Sequence, residues 1–374
     1  MIMEHIEESV HTLENPWIEE AKHRGGRILG FFCSYVPEEL LNLDGLSSFR
    51  MRATGSQSTE TADGYMGYFN CGYTRHCLEV GLEDKYHFLD GFVFASSCDH
   101  LRRLYDNWCF YLDPAFVHII DVPHLTEDDA MAWYREEMER LCAEIARHFT
   151  IPIDDTTVWH AIEKTNAARK LLGAIDELRR CEEPRLSGHE MHKVSLLASS
   201  IPKESANDVL KEVLVSLKDR ALTRSYRARV LLVGSHLDDP GFIELIEDTG
   251  ALVIADSFCC GLRDQLELVD EDRTQDPYLA LAQRYLKRIS CPRMYGDYQR
   301  RLSQLFDMVK NTKVDGVILE HLKFCETWGV DSNMLFRNFR EQGIPTLRLE
   351  RDYRPSSAGQ IRTRVQAFIE SMGK

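Results

Sequence analysis

The chain has 374 residues, of which 44% are hydrophobic and 28% are charged, and its formal net charge is −15. This composition is typical of a globular protein of two or three domains, and the acidic balance disfavours non-specific nucleic-acid binding, which needs a basic surface. No apolar run approaches the roughly 18 residues of a membrane span, and the acidic N-terminus lacks the pattern of a secretory signal. We therefore expect a cytoplasmic protein with no nucleic-acid and no membrane partner.

The first third of the chain alternates strand patterns with helix patterns. Residues 1–24 are predicted to form a helical arm without functional residues. Pro37 is predicted to lie in the first turn of a helix, a position that favours proline. Two strands joined through such a helix form a βαβ unit, which requires a parallel sheet. The predicted strands are residues 27–32, 48–53, 91–95 and 115–122. We therefore expect a doubly wound α/β lobe over residues 25–124.

The middle of the chain, residues 125–225, changes to helical periodicity and predicts a linking domain. Its expected helices are residues 127–147, 157–180 and 204–220. From residue 226 to residue 374 the α/β pattern returns. Its expected strands are residues 228–233, 250–255, 315–319 and 343–350, followed by a helix at 359–372. The predicted fold class is therefore α/β, with two Rossmann-like doubly wound lobes that face each other and a helical linking domain.

The second lobe repeats a motif of the first. The segment DGVIL at residues 315–319 resembles DGFVF at residues 90–94, and a cysteine follows each of them, Cys325 and Cys98 respectively. Ligands of open α/β sheets bind at the carboxyl ends of the strands. The sequence therefore predicts that these two cysteines face each other across the cleft between the lobes.

Eleven cysteines are many for a chain without an export signal. Because the cytoplasm keeps thiols reduced, structural disulfides are not expected. Metal ligation and redox chemistry are then the first functions to consider for these cysteines. The alternative for each of them is the ordinary role of a buried small hydrophobic residue.

Cys71 and Cys98 are each predicted to stand where a helix begins, and Cys325 is predicted to stand at a strand end that matches the one before Cys98. Helix N-termini carry partial positive charge and favour thiolates. Three thiolates from three separate turns can hold an iron–sulfur cluster, and because such clusters usually take four cysteines, one iron would stay open as a Lewis acid. The spacing matches no compact ferredoxin or zinc-ribbon pattern, so buried structural cysteines remain the alternative.

The adjacent pair Cys259 and Cys260 follows another predicted strand. It could supply a fourth ligand or a neighbouring thiol, whereas the simpler interpretation is a buried pair, which we favour. The other cysteines show no partner pattern and are expected to pack in the interior: Cys77, Cys109, Cys142, Cys181 and Cys291. Four histidines near strand ends are either proton donors or, more often, structural hydrogen-bonding groups: His100, His124, His236 and His321.

Several segments taken in order resemble the benzoyl-CoA reductase / 2-hydroxyacyl-CoA dehydratase family over nearly the whole chain. They are GFFCSYVPEELLNLDG, FNCGYTRHCLEVGL, YHFLDGFVFASSCDHLRRLYDNW, LKFCETWG and SSAGQIRTRVQAFIE. The resemblance implies a three-domain catalytic subunit with one [4Fe-4S] cluster per chain, held by three cysteines that fall on Cys71, Cys98 and Cys325. It also implies a heterodimer with a related second catalytic subunit, and electrons from an ATP-hydrolysing iron–sulfur activator or ATPase subunits. This agrees with the lack of a GxGxxG or GxxxxGK[ST] motif in the chain.

The same resemblance implies a CoA-thioester substrate that is reduced at low potential to a ketyl radical by way of the open iron. Dehydratase subunits often carry Cys-Asp-Pro at the third ligand, whereas this chain has Cys325-Glu326-Thr327. The departure favours an aryl-CoA reductase of the benzoyl-CoA type, in which the ring is dearomatised. A 2-hydroxyacyl-CoA dehydratase, which is a radical lyase, is the alternative, and an auxiliary electron-transfer protein of the same fold is a further one.

Overall fold

Two parallel four-stranded sheets organise the computed structural model, which describes residues 2–288, 290–354 and 358–374. The first sheet contains β1 (Arg27–Phe31), β2 (Leu46–Arg50), β3 (Gly91–Ala95) and β4 (Val117–Ile120) in the order β2-β1-β3-β4. The second contains β5 (Ala228–Gly234), β6 (Ala251–Ser257), β7 (Gly316–Leu322) and β8 (Thr346–Arg351) in the order β6-β5-β7-β8. The two orders are the same, so the repeat predicted from the sequence extends to the topology of the whole sheet.

Fourteen α-helices surround these sheets in the described residues. The first eight are α1 (Ile2–Val10), α2 (Pro16–His23), α3 (Gly72–Leu82), α4 (Asp99–Asn107), α5 (Asp128–Phe149), α6 (Asp155–Arg180), α7 (Gly188–Ala198) and α8 (Lys203–Leu217). The others are α9 (Pro240–Glu247), α10 (Leu262–Gln265), α11 (Pro277–Lys287), α12 (Tyr298–Thr312), α13 (Glu326–Glu341) and α14 (Ala358–Ser371). The α/β class is therefore confirmed. Ser356 and Ser357 of the segment SSAGQIRTRVQAFIE lie outside the described residues.

The predicted helix behind Pro37 is wrong. The chain forms only a 3₁₀ turn, Glu38–Leu41, and its residues Glu39, Leu40 and Leu41 are all buried. The Asn42 side chain donates to the Glu38 carbonyl oxygen at 2.7 Å, which closes the turn before a second helical turn can form.

The helix α7 was not expected from the sequence, although its N-terminus carries a recognisable signal. Ser187 accepts a hydrogen bond from the Glu190 backbone N–H, and the Glu190 side chain accepts one from the Ser187 backbone N–H. This reciprocal capping box is visible in the sequence as Ser-x-x-Glu. Because both faces of α7 are buried, it has no amphipathic pattern to mark it.

The helices of residues 125–225 share hydrophobic cores with the rest of the chain. One core joins α5 and α6 to residues of β1 and α11, and α5 also contacts β4. A second core joins α7 and α8 to α1. A separate linking domain, and the four predicted domain ranges, therefore stay predictions. No helix of the described residues is long and apolar enough to cross a membrane.

Candidate functional site

A cavity of about 120 Å³ lies where the carboxyl ends of both sheets meet. Its wall includes residues that directly follow strands β1, β3, β5, β6 and β7. This is the place where open α/β sheets bind their ligands, because the strand-to-helix turns converge there.

The three cysteines singled out from the sequence all line this cavity. Cys71, Cys98 and Cys325 are the residues immediately before helices α3, α4 and α13. The structure therefore brings together three side chains that are distant along the chain, and it places each of them at a helix N-terminus, which the sequence predicted for Cys71 and Cys98. Their role as cluster ligands stays a prediction.

Three further cysteines line the same cavity: Cys33, Cys259 and Cys291. Cys33 follows β1 just as Cys98 follows β3, so the rule that found Cys98 could also have found it. Cys291 was expected to pack in the interior; it does pack against a hydrophobic core, and it also lines the cavity, which was not expected. It lies in the loop between α11 and α12, with its backbone N–H donating to the Tyr35 hydroxyl at 3.3 Å, and no strand precedes it to reveal its place.

The six cysteines divide evenly between the two halves of the chain. Cys33, Cys71 and Cys98 come from the half that carries the first sheet, and Cys259, Cys291 and Cys325 come from the half that carries the second. All six are free thiols. The repeat of topology is thus accompanied by a repeat in the number of thiols that each half brings to the cavity.

Burial keeps the predicted ligand thiols protonated in the absence of a metal. It raises the pKa of Cys71 to about 11, although the backbone N–H groups of Tyr73 and Thr74 lower it. Burial raises the pKa of Cys98 to about 12 and that of Cys325 well above its usual value. The sequence-based expectation that helix N-termini would favour thiolates is therefore outweighed by desolvation.

Cys259 and Cys260 have different surroundings, although they are adjacent in sequence. Cys259 lines the cavity, whereas Cys260 is buried behind it with its sulfur 3.1 Å from Nδ1 of His236. A hydrogen bond from Cys260 and the nearby imidazole hold the pKa of Cys259 well below its usual value despite burial. The ligand atoms of His236, Cys259 and Cys260 lie within 4.8 Å of one another, so this group is also able to hold a metal ion.

The imidazole of His236 is held from two sides. Its ring stacks on that of Tyr73 with 3.6 Å between centroids, and its Nε2 lies 3.5 Å from a carboxylate oxygen of Asp238. The Tyr353 hydroxyl donates to the same carboxylate oxygen. His236 is therefore a fixed part of the cavity wall.

The other histidines near strand ends fall into two groups. His100 lines the cavity, and its Nδ1 lies 3.1 Å from the side-chain oxygen of Asn70. His124 and His321 are not part of the cavity wall; they contact the Arg293 carbonyl oxygen at 2.9 Å and the Glu350 carboxylate at 3.2 Å. The structural role that the sequence favoured fits these two.

Exposed aromatic rings surround the turns that carry Cys71 and Cys325. Tyr68 and Phe69 stack with 3.9 Å between centroids, and the Phe69 ring meets the Phe324 ring edge-on at 6.0 Å. Phe324 has a φ of 64°, a left-handed conformation that costs a non-glycine residue about 1–2 kcal/mol. We call Tyr68, Phe69 and Phe324 the aromatic rim.

Comparison with known proteins agrees with this architecture. "Putative dehydratase subunit YjiM" of Escherichia coli (strain K12) is 29% identical over 366 residues, covering 95% of this chain and 94% of that protein. The "(R)-phenyllactyl-CoA dehydratase beta subunit" of Clostridium sporogenes is 24% identical over 365 residues, covering 96% of both chains. A benzoyl-CoA reductase subunit of Thauera aromatica is 24% identical over 372 residues, covering 96% of this chain and 94% of that protein.

The fold and its cavity define a two-sheet α/β protein with a thiol-lined centre. Residues 33–372 match the model of the family described as 2-hydroxyglutaryl-CoA dehydratase, D-component, and the chain belongs to this family. The resemblance drawn from the sequence is confirmed. The relatives include both dehydratase and reductase subunits, so the family alone does not choose between the two reactions.

Proposed function

We propose that this chain is an iron–sulfur subunit of an enzyme complex that acts on CoA thioesters with low-potential electrons. The observation that carries the proposal is the convergence of Cys71, Cys98 and Cys325 on one cavity at the carboxyl ends of two parallel sheets. A wall rich in free thiols suits iron–sulfur clusters, because soft thiolate ligands select them.

The chemistry of the donor set fits one [4Fe-4S] cluster held by Cys71, Cys98 and Cys325. Each thiol is aligned with backbone N–H groups of a helix N-terminus, which stabilise the anionic ligand once the metal has replaced its proton. When bound, the cluster would supply one-electron transfer, and an iron without a cysteine ligand would supply Lewis acidity.

The remaining thiols, Cys33, Cys259 and Cys291, equal the first set in number. They would double the number of thiolates that the cavity can offer to a soft metal, so a centre with more iron than one four-iron cluster is a second case to test. The iron content distinguishes the two cases: about four irons per chain for one [4Fe-4S] cluster, and about eight if the second set also holds a cluster of that kind.

Anaerobic purification with measurement of iron and acid-labile sulfide tests the proposal. Cys98→Ala is expected to lose the iron that Cys71 and Cys325 help to hold, whereas the matched control Cys181→Ala keeps the wild-type content, because Cys181 lies outside the cavity wall. Cys259→Ala should lower the iron content only if the second set also binds metal. Full iron retention by Cys98→Ala would discard the ligand assignment.

Reduction of an aryl-CoA thioester is the first candidate reaction, because Glu326 and Thr327 stand where dehydratases often carry Asp-Pro. Dehydration of a 2-hydroxyacyl-CoA is the second, and it is the reaction of the phenyllactyl-CoA dehydratase whose beta subunit is similar to this chain. The complex of this chain with its partner subunits and an ATP-hydrolysing electron donor should convert one substrate class and not the other. Loss of the hydroxyl without net reduction would identify a dehydratase, and dearomatisation would identify a reductase.

The relatives are named as subunits of larger enzymes. We propose that this chain also works with a related second subunit and an ATP-hydrolysing iron–sulfur activator. The aromatic rim is a suitable contact surface, because exposed aromatic side chains are enriched in protein interfaces. It flanks the turns of Cys71 and Cys325, so a partner bound there would lie next to the cavity. A cytoplasmic location fits the eleven free thiols.

A further inference from the structure

Three arginines, Arg50, Arg263 and Arg293, lie in the wall of the six-cysteine cavity and are 4%, 4% and 6% exposed. No carboxylate of the described residues forms an ion pair with any of them. The carboxylates of the wall, Asp99 and Glu326, are both exposed to solvent. The buried part of this cavity wall therefore carries several positive charges and no buried carboxylate.

Two of these guanidinium groups have hydrogen-bond donors without a partner. Nε and Nη1 of Arg50 are buried and unpaired, and its Nη2 approaches the Cys259 sulfur at 3.9 Å. Nη2 of Arg263 is also unpaired, while its Nη1 makes only long contacts of 3.4 Å with the carbonyl oxygens of Gly234 and Ser257.

Arg293 differs, because its guanidinium is fully used in holding the backbone. It donates to the carbonyl oxygens of Ser97, Val122 and Pro123 at 2.7–2.9 Å. Arg293 therefore adds positive charge to the cavity wall, but its N–H groups donate to the backbone and are not free for a ligand. The unpaired donors therefore belong to Arg50 and Arg263.

Several other buried arginines of this fold are matched with acids, whereas Arg52 donates to three backbone carbonyl oxygens. Arg301 makes a two-pronged ion pair with Asp331, and Arg351 donates to Glu320 at 2.7 Å. An unpaired buried charge costs several kcal/mol, as does each buried donor left without an acceptor. The unpaired donors of Arg50 and Arg263 are thus expected to find their acceptor in whatever the cavity binds, and an anionic group would also balance their charge.

We propose that Arg50 and Arg263 are the internal counter-charges of the anionic iron–sulfur centre, donate hydrogen bonds to its sulfur atoms, and raise its reduction potential. The proposal rests on the proposed function. Thiolates and inorganic sulfides are the negative atoms that the six-cysteine wall would assemble, and Arg50 already lies against one of the six sulfurs. Reduction adds negative charge, so a fixed positive charge nearby favours the reduced state.

The test is the reduction potential of the anaerobically loaded protein, followed by the electron paramagnetic resonance signal of the reduced cluster. Arg50→Gln and Arg263→Gln are each expected to reduce the equilibrium constant for cluster reduction by about tenfold, which is about 59 mV for a one-electron couple. Arg50→Lys keeps the charge and should stay closer to the wild-type potential than Arg50→Gln.

Arg102→Gln is the matched control. It removes the same unit charge from helix α4, whose N-terminus carries Cys98, but Arg102 is exposed and pairs with exposed Asp99, so water screens it. Potentials of Arg50→Gln and Arg263→Gln equal to that of Arg102→Gln, at full iron content, would overturn the inference. If Arg50→Gln binds no iron, recovery of iron in Arg50→Lys supports the counter-charge, and loss in both variants contradicts it.

These outcomes separate the inference from the proposed function. A wild-type protein that binds no iron would remove the proposed function itself. A wild-type protein with a full cluster and arginine variants of unchanged potential would remove only the role of Arg50 and Arg263.

Discussion

The two halves of the molecule contain sheets of the same topology, but the hydrophobic cores that pack against these sheets differ in composition. Behind the first sheet, aromatic rings pack against one another: Trp108 contacts Phe32, Phe92 and Phe94 with centroids 5.0–5.8 Å apart. The second half has a mainly aliphatic core and a buried ion pair between Glu320 of the central strand β7 and Arg351 of the edge strand β8.

This difference shows which parts of the repeat the architecture depends on. Strand order, parallel direction and three cavity cysteines per half are common to both halves, whereas the packing chemistry is not. A sheet can pack against different sets of side chains, provided that they fill the core without voids and that every buried polar group has a hydrogen-bond partner. The cavity, in contrast, depends on where the strand ends point. Substitutions that act on one interior should therefore affect stability in ways specific to that half.

Trp108→Ala is expected to give the largest loss of stability. The side chain is fully buried among aromatic rings, and its removal leaves a cavity that costs about 3–5 kcal/mol. Urea unfolding followed by circular dichroism measures the change. Trp133→Ala is the matched control: this tryptophan is 54% exposed, so its loss should cost about 0.5 kcal/mol or less. Equal losses for the two variants would contradict the aromatic core.

Arg351→Met should destabilise the second half by about 3 kcal/mol, because it leaves the carboxylate of Glu320 buried without its cation. Addition of Glu320→Leu should recover much of that loss, since an apolar pair replaces a buried ion pair at little cost. Urea midpoints of the single and double variants decide the point. A double variant less stable than Arg351→Met would show that the carboxylate has another essential partner.

The smallest expected effect is the contribution of His192 in helix α7 to the pH dependence of stability. Burial lowers its pKa to about 4, below the ordinary value of about 6.5, so the unfolded chain binds more protons than the folded one between these values. Stability from this group is therefore lost as pH falls, by about 2 kcal/mol between pH 7 and pH 5.

Comparison of urea midpoints at pH 7 and pH 5 for wild type and His192→Gln tests this pH dependence. The variant should lose less stability on acidification than the wild type. Parallel losses would show that His192 is not the buried neutral imidazole described above.

The sequence predicts the fold well where strand and helix patterns are regular. The strand of residues 91–95 and the helix after Cys98 are found at their expected places, because a continuous apolar run and an amphipathic run adjoin there. It fails where burial replaces periodicity. The 3₁₀ turn behind Pro37 and helix α7 are surrounded by protein, so neither shows a polar face.

The candidate site follows the same rule. Cys71 and Cys98 could be placed because each adjoins a recognisable helix start, and Cys325 because it follows the repeated strand motif. Cys291 could not, because it reaches the cavity from a loop whose position is set by distant contacts such as the Tyr35 hydroxyl. The unpaired donors of Arg50 are likewise invisible in a sequence, since only the three-dimensional surroundings show that no acid is near.

The even division of cavity cysteines between the halves has a consequence for maturation of the protein. Any metal centre bonded to sulfurs from both halves would cross-link segments of the chain that are more than two hundred residues apart. Closing such a long loop by ligation removes much of the freedom of the open chain. Insertion of the centre would then add a cross-link between halves that already share a hydrophobic core, and its oxidative destruction would remove that cross-link.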